Sequence, residues 1–413
     1  MRAMTLSPSN HFHPKSQTNN SPRKQSPNGI NLNTMHPKPN FNQSNPITTK
    51  NIAPLTSFAL NSSKTQNFNS ANPPLVVVGS ANADIYVEID RLPREGETIS
   101  AKTGQTLAGG KGANQAACGS KLAYPTYFVG QVREDAHGKL ISEALEKGGV
   151  NLDHLNTVAS VPTGHAVVIL QSDGQNSIII VGGANMSCWP ETLSDLDLEV
   201  VRNAGIVLLQ REIPDSVNIQ VAKAARNAGV PVILDAGGID AALPGDLLSY
   251  VDILSPNETE LGRLTGMPTD TFEQITVAKC HKMGVKQVLV KLGGQGSALF
   301  IEGQEPMRQP IISAPKVIDT TGAGDTFTAA FAVALVEGKS KKEGLKFAAA
   351  AASLCVQVKG AISSMPDRKS VLDLLLSLIK TSGERYIARR RPSLLCALIT
   401  TVKTFDIGDV AST

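Results

Sequence analysis

Two glycines and a carboxylate stand directly ahead of an uncharged helical pattern in Asp319-Thr320-Thr321-Gly322-Ala323-Gly324-Asp325-Thr326-Phe327, the pattern itself running over 328–336. Gly322 and Gly324 let the backbone turn sharply and aim N–H groups outward. At a helix N-terminus, with the positive dipole end behind them, such groups form an anion hole. Asp325 is an odd neighbour for an anion. It could cap the helix, a common role for Asp, but a cap alone requires no Gly-Ala-Gly before it. A carboxylate set against an anion hole suits a base that deprotonates a hydroxyl as it attacks a phosphoryl group.

A second signal is Gly109-Gly110-Lys111-Gly112-Ala113-Asn114-Gln115, where glycines permit close approach to a ligand and Lys111 and Asn114 supply donors. Alone it is weak, because Gly-rich turns abound. The third is Ser255-Pro256-Asn257-Glu258-Thr259-Glu260. Asn257 and Glu260 share one helical face at i,i+3, where an amide and a carboxylate could hold water around Mg²⁺; an acid-rich helix N-terminus is the plainer reading. Gly338-Lys339-Ser340 mimics the end of a phosphate-binding P-loop, but Val333 occupies the earlier glycine position. Gly110-x-Gly112 and Gly322-x-Gly324 lack the third glycine of a dinucleotide fingerprint, and three of the seven histidines (His11, His13, His36) fall in the first 40 residues. What remains is phosphoryl transfer without a P-loop.

These residues need a scaffold, and the hydrophobic pattern supplies one. Leu75-Val76-Val77-Val78 is a continuous apolar run ended by Gly79, too short for a helix. Further short apolar runs at 206–209, 232–234, 253–254 and 288–290 alternate with helical patterns at 214–227 and 276–283. Such βαβα order with fully apolar strands predicts a doubly wound α/β fold, a mostly parallel sheet with helices on both faces. Ligands on such sheets sit beyond the strand C-terminal ends, where the motifs fall. Tyr86-Val87-Glu88-Ile89-Asp90 and the stretch 164–181 alternate instead, the latter around Ser172-Asp173-Gly174-Gln175. That pattern predicts a small antiparallel β-lid over about 85–108 and 163–182, whose edge a second subunit would cover.

The chain of 413 residues carries a net charge of +3, unevenly spread. Residues 1–72 hold seven Lys/Arg and no acid; removing those seven charges leaves the remaining chain at −4. A basic nucleic-acid-binding body is thereby excluded. The apolar, uncharged stretch 347–358 has 12 residues, too short to span a bilayer. Cys118, Cys188, Cys280, Cys355 and Cys396 show neither CxxC nor zinc spacing and read as reduced thiols. Residues 1–72, rich in Ser, Asn and Pro and free of acids, have the composition of an organellar transit peptide. With only two arginines there, plastid stroma is the first expectation and mitochondrion the second; a disordered tail with no address is the alternative.

Gly79-Ser80-Ala81-Asn82-Ala83-Asp84, the GGKGANQ at 109–115, the NETE at 257–260, Lys291-Leu292-Gly293 and the DTTGAGDTF at 319–327 occur together in this order. The set resembles the ribokinase-type (PfkB) carbohydrate kinases over about residues 75–380, and Asn82, Asp84 and GGKGANQ narrow it toward the ribose-directed members. The resemblance implies one kinase domain over 73–380, phosphorylation of the 5-hydroxyl of D-ribose by ATP with Mg²⁺, activation by K⁺, and a homodimer joined through the lids. It makes Asp325 the base and Gly322, Ala323 and Gly324 the anion hole. Asn82, Asp84, Gly110, Lys111, Asn114 and Glu212 would hold the sugar. Asn257, Glu260, Gly324 and the stretch Lys291, Leu292, Gly293, Gly294, Gln295 and Gly296 would serve the nucleotide and its Mg²⁺. Potassium would take Asp319 and Ser364 side chains and the backbones of Thr321, Cys355, Val358 and Gly360.

Two departures stand out. Asp235-Ala236-Gly237-Gly238 replaces the Asn-Pro-rich turn of bacterial members, so no role is assigned to Asp235. Residues 381–413, with Arg389-Arg390-Arg391, have no family counterpart and read as a disordered tail. Competing functions are a sibling kinase for fructose or adenosine, and a non-catalytic scaffold. The 4% aromatic content offers little for stacking a nucleoside, and intact Asp325, Gly322 and Gly324 argue against a dead relative.

Overall fold

A computed structural model describes residues 72–172, 176–238, 241–267 and 275–387. The expected transit peptide to residue 71, the turn 173–175 and the tail from 388, with Cys396 and the arginine triplet, lie outside the described residues.

Leu75–Val78 (β1) has no polar face because both of its faces are buried. Leu75 and Val77 enter one hydrophobic core with Ala117 and Phe331; Val76 and Val78 enter a second with Val201 and Leu209. The strands that follow are β2 Asn82–Ile89, β3 Thr103–Gly109, β4 Thr126–Arg133, β5 Asn151–Val158, β6 Gly164–Gln171 and β7 Asn176–Val181. Then come β8 Ile206–Arg211, β9 Val232–Gly238, β10 Ile253–Ser255, β11 Gln287–Lys291, β12 Ser297–Ile301 and β13 Met307–Gln309. Nine of them form one sheet in the order β13-β12-β11-β10-β9-β8-β1-β4-β5.

The pairs from β5 through β11 are parallel, as the apolar runs predict, but β12 and β13 are antiparallel. Only residues 292–296 separate β11 from β12, too few for a crossover helix, so the chain doubles straight back. Because β1 lies between β4 and β8, strand order reverses at its C-terminal end and opens a crevice there.

Ten helices complete the described chain: α1 Lys111–Lys121, α2 Ala136–Lys147, α3 Asp195–Arg202, α4 Asp215–Asn227, α5 Gly245–Leu248, α6 Glu258–Thr265, α7 Ile275–Lys282, α8 Ala323–Val336, α9 Lys341–Cys355 and α10 Arg368–Ile387. Helix α8 is buried from Asp325 to Ala334, which explains why its sequence has no polar stripe. Helix α10 runs to Ile387, past the domain end expected at 380. Four strands form the lid in the order β3-β2-β6-β7; β2 with β3 and β6 with β7 are antiparallel as expected. The two hairpins, however, join through a parallel β2–β6 pair, so the lid is mixed, the long chain between them allowing a parallel return. Three residues separate β2 from β1, so the lid is rooted at the crevice.

Among the described residues no helix is long and apolar enough to cross a membrane, and the four described cysteines are free thiols.

Candidate active site

Gly322 adopts the left-handed conformation (φ +77°) that starts α8, packed against Ala361 and Met365. The helix's bond from Thr326 N–H to the Gly322 carbonyl is 2.8 Å long, and the N–H groups of Gly324 and Asp325 precede it at the helix end. Asp325 does not cap this helix. Its carboxylate reaches across to α1, accepting from Asn114 Nδ2 at 2.9 Å and Gln115 Nε2 at 3.3 Å, with Lys111 Nζ at 3.8 Å. Burial raises Asp325 above the ordinary carboxylate range; Lys111 opposes that shift, and nearby Asp235 adds to it. A carboxylate so raised is a stronger proton acceptor.

On the lid side, Asn82 and Asp84 begin β2, both nearly buried. Asn82 Oδ1 accepts from Asn185 Nδ2 at 2.7 Å, which orients its amide. Burial first, then Glu212 and Asp325, push Asp84 up to about 7. The Gly109-Gly110 pair is required by crowding. A Cβ on Gly109 would collide with the Asp84 carboxylate, and Gly110 (φ +92°) approaches the Asn82 backbone so closely that a Cβ would lie 2.6 Å from its nitrogen. Glu212 follows β8 and joins the same group, accepting from Ser80 Oγ at 2.5 Å and from the Lys111 N–H at 3.2 Å. Asn114 Oδ1 is buried with no hydrogen-bond partner, an acceptor left over beside the bond its amide gives Asp325. Asn82, Asp84, Gly110, Lys111, Asn114, Glu212 and Asp325 are thus brought together at the end of β1.

A cleft of about 720 Å³ adjoins them, with Lys111 and Asp325 in its wall. Asn257, Glu260, Lys291, Gly293, Gly294, Gly296, Gly322, Ala323 and Gly324 also line it. Leu292 instead turns into the core, and Gln295 is not part of the cleft wall. Asn257 and Glu260 form a reciprocal capping box at the start of α6, each bond 2.8 Å long. The plainer reading of that pair therefore holds, but it uses only Glu260 Oε2. The other oxygen lies near Gly237 and Lys111.

The residues expected to hold a cation lie close together as well. Asp319 accepts from the N–H groups of Thr321 and Gly360, each at 2.9 Å, and ties the loop before α8 to the segment after α9. Ser364 Oγ lies 3.1 Å from Cys355 Sγ, and Val358 N–H bonds the Cys355 carbonyl at 3.2 Å. Among the described residues no three His, Cys, Asp or Glu side chains form a ready-made metal cage. The donors here are one carboxylate, a hydroxyl and carbonyls, an all-oxygen set that fits a hard cation.

Sequence reasoning missed several residues. Gln115 stood in a quoted motif without a role, yet it bonds Asp325 and accepts from Gln210 Nε2 at 2.7 Å. Asn185 had no signal beyond being an Asn. Asp235 had one: it directly follows an apolar strand run, the position where site residues are expected. It is fully buried and contacts both Lys111 and Lys291.

Comparison with known proteins places this geometry. The family model described as "pfkB family carbohydrate kinase" matches residues 72–368. The ribokinase of Arabidopsis thaliana is 78% identical over 307 residues, 73% of this chain and 81% of that protein. The ribokinase of Bacillus subtilis is 35% identical, covering 73% of this chain and 99% of that protein. A solved structure of Arabidopsis thaliana ribokinase complexed with ribose and ATP superposes with a TM-score of 0.71 at 78% identity, over 74% of this chain and 99% of that one. A buried carboxylate on a helix that opens with Gly-Ala-Gly, beside a cluster of buried polar side chains, accords with these relatives: the chain belongs to the pfkB family of carbohydrate kinases, phosphotransferases that act on a sugar hydroxyl.

Proposed function

We propose that the chain phosphorylates D-ribose at its 5-hydroxyl with ATP, giving ribose 5-phosphate and ADP. The observation that carries this reading is the placement of Asp325 between the cleft and the polar cluster of Asn82, Asp84 and Glu212. It lines the cleft with the anion-hole glycines, and it is held from the other side by Asn114 and Gln115. Asn82, Asp84 and Glu212, with the unpaired Asn114 Oδ1, offer acceptors to a ring of hydroxyls. Asp325 takes the proton of the attacking hydroxyl. The N–H groups at the start of α8, with Lys111 and Lys291, stabilise charge on the phosphoryl as it passes. Asn257 faces the nucleotide phosphates, and the uncapped oxygen of Glu260 would order the water shell of Mg²⁺, which when bound neutralises phosphate charge. The test is ADP release with ribose, fructose and adenosine as acceptors. Ribose should have the highest kcat/KM, and equal use of adenosine would overturn the assignment.

Potassium fits the Asp319 loop, which leads directly into Gly322. A cation there would stiffen the anion hole without touching substrate. Turnover at saturating ATP and ribose should therefore rise with K⁺ and less with the smaller Na⁺; identical rates with either ion or neither would remove the idea.

The lid edge supports a homodimer. Ile178, Ile179 and Ile180 on β7 are 53%, 57% and 51% exposed, a run of apolar residues that a second lid would cover. Ile179→Glu should shift the molar mass in light scattering from dimer to monomer, and a monomeric unmutated chain would refute the pairing. Residues 1–72 are proposed to direct import into the plastid stroma. A fluorescent protein carrying them should enter plastids, and entry into mitochondria or neither organelle would contradict this.

A further inference from the structure

Asp235 ends the apolar part of β9 and is completely buried. A buried carboxylate must be paired and hydrogen-bonded, or it is prohibitively costly. Here Oδ2 accepts from Lys291 Nζ at 2.6 Å and from Thr328 Oγ1 at 3.3 Å. Oδ1 accepts from the Gly237 N–H at 3.1 Å and lies 3.6 Å from Lys111 Nζ. The two ammonium groups thus meet different oxygens of this anchor. Lys111 Nζ is also 3.8 Å from the Asp325 carboxylate. Lys291 lines the cleft, and a Cβ built on Gly324 would stand 3.8 Å from its Nζ.

Resting on the kinase reading, we propose that Asp235 is a positioning residue for phosphoryl transfer. It holds the Lys291 and Lys111 ammonium groups on the nucleotide and sugar sides of the transferred phosphoryl without touching substrate itself. An ammonium has three donors, so one bond to Asp235 leaves others for phosphate oxygens. A lysine stem is long and flexible, and an anchored ammonium loses less freedom when the phosphate arrives. The anchor also divides Lys111. Without Asp235, Lys111 would be drawn wholly onto Asp325, Glu212 and Glu260, and its bond to Asp325 would weaken that residue as a proton acceptor. Burial alone would raise Asp235, but Lys111 and Lys291 bring it down to about 2, so it stays ionised throughout the working pH range.

A purely structural role makes a different prediction. Asn at 235 keeps the shape and an oxygen for Gly237 N–H or Thr328, but it cannot hold two cations. Asp235→Asn, assayed in the full chain with ATP and ribose below its melting temperature, should lower kcat about 10–100-fold with KM for ribose near that of the unmutated protein, while the melting temperature falls because two ammonium groups lose their shared buried partner. A folded Asp235→Asn variant with unchanged kcat would overturn the proposal. If that variant does not hold its fold, Lys291→Gln breaks the same ion pair from the other end. A fall in kcat with ribose KM kept is what the assignment requires of Lys291, and unchanged kcat leaves Asp235 nothing to position and overturns it. An unmutated chain inactive on ribose would count against the kinase reading itself, a result distinct from an active chain indifferent to Asp235→Asn.

Discussion

Asp325→Asn should lower turnover by about 10²–10⁴ while ribose and ATP still bind and the melting temperature hardly moves. The substitution separates proton transfer from every other service this residue performs. Asn matches Asp in size and still offers an oxygen to Asn114 or Gln115. The Asp325 carboxylate makes no capping bond to α8, so the helix loses nothing. Burial and Asp235 already disfavour a charge at this position, so neutralising it removes a like-charge interaction inside the fold. Only the capacity to take a proton disappears. Calorimetric binding of both substrates, melting and steady-state rates must be read together. A folded variant that binds ribose and turns it over at near the original rate would remove Asp325 from the mechanism.

Asp84→Ala should act on the sugar alone. Hydrogen bonds to a charged group contribute about 1.5–3 kcal/mol each, so losing this acceptor should reduce kcat/KM for ribose about 10²-fold and leave ATP affinity nearly unchanged. The same carboxylate sets a pH dependence. Asp84 has been raised to about 7, so it is ionised above that pH and protonated below it. An acceptor for sugar hydroxyls is therefore lost as pH falls, and apparent KM for ribose should rise about tenfold from pH 8 to pH 6. The alanine variant should show no such rise. A ribose KM that is flat in the unmutated protein, or an equal loss of ATP and ribose binding in Asp84→Ala, would separate Asp84 from the sugar.

The sequence announced the scaffold where both faces of a strand are apolar. Leu75–Val78 could only be a central buried strand, and Gly322 and Gly324 before an uncharged helix could only make a tight, backbone-lined turn at its start. The lid was legible because its alternation differs in period from the sheet. The antiparallel β12 and β13 were not, because the sign lies in the shortness of the 292–296 connection and not in the strands themselves. Within the site, motifs revealed which residues gather but not what they contact. Asn257 and Glu260 looked like a metal-shell pair and are also a capping box, two uses of one i,i+3 spacing. Asp235 was passed over because it departed from a bacterial pattern, although its position after an apolar strand marked it. Asn185 and Gln210 act through tertiary contacts that no local spacing encodes.

The central claim is that Asp325 delivers one sugar hydroxyl, the one on C5, to the phosphoryl group. Product analysis by ³¹P–¹H correlation after reaction with ATP and ribose tests it most directly, with 5-deoxyribose as the matched acceptor lacking that hydroxyl. The account predicts phosphorus coupled to the C5 protons of ribose and no sugar phosphate from 5-deoxyribose. Phosphorus coupled to the C1 proton, or phosphorylation of 5-deoxyribose at a comparable rate, would contradict it.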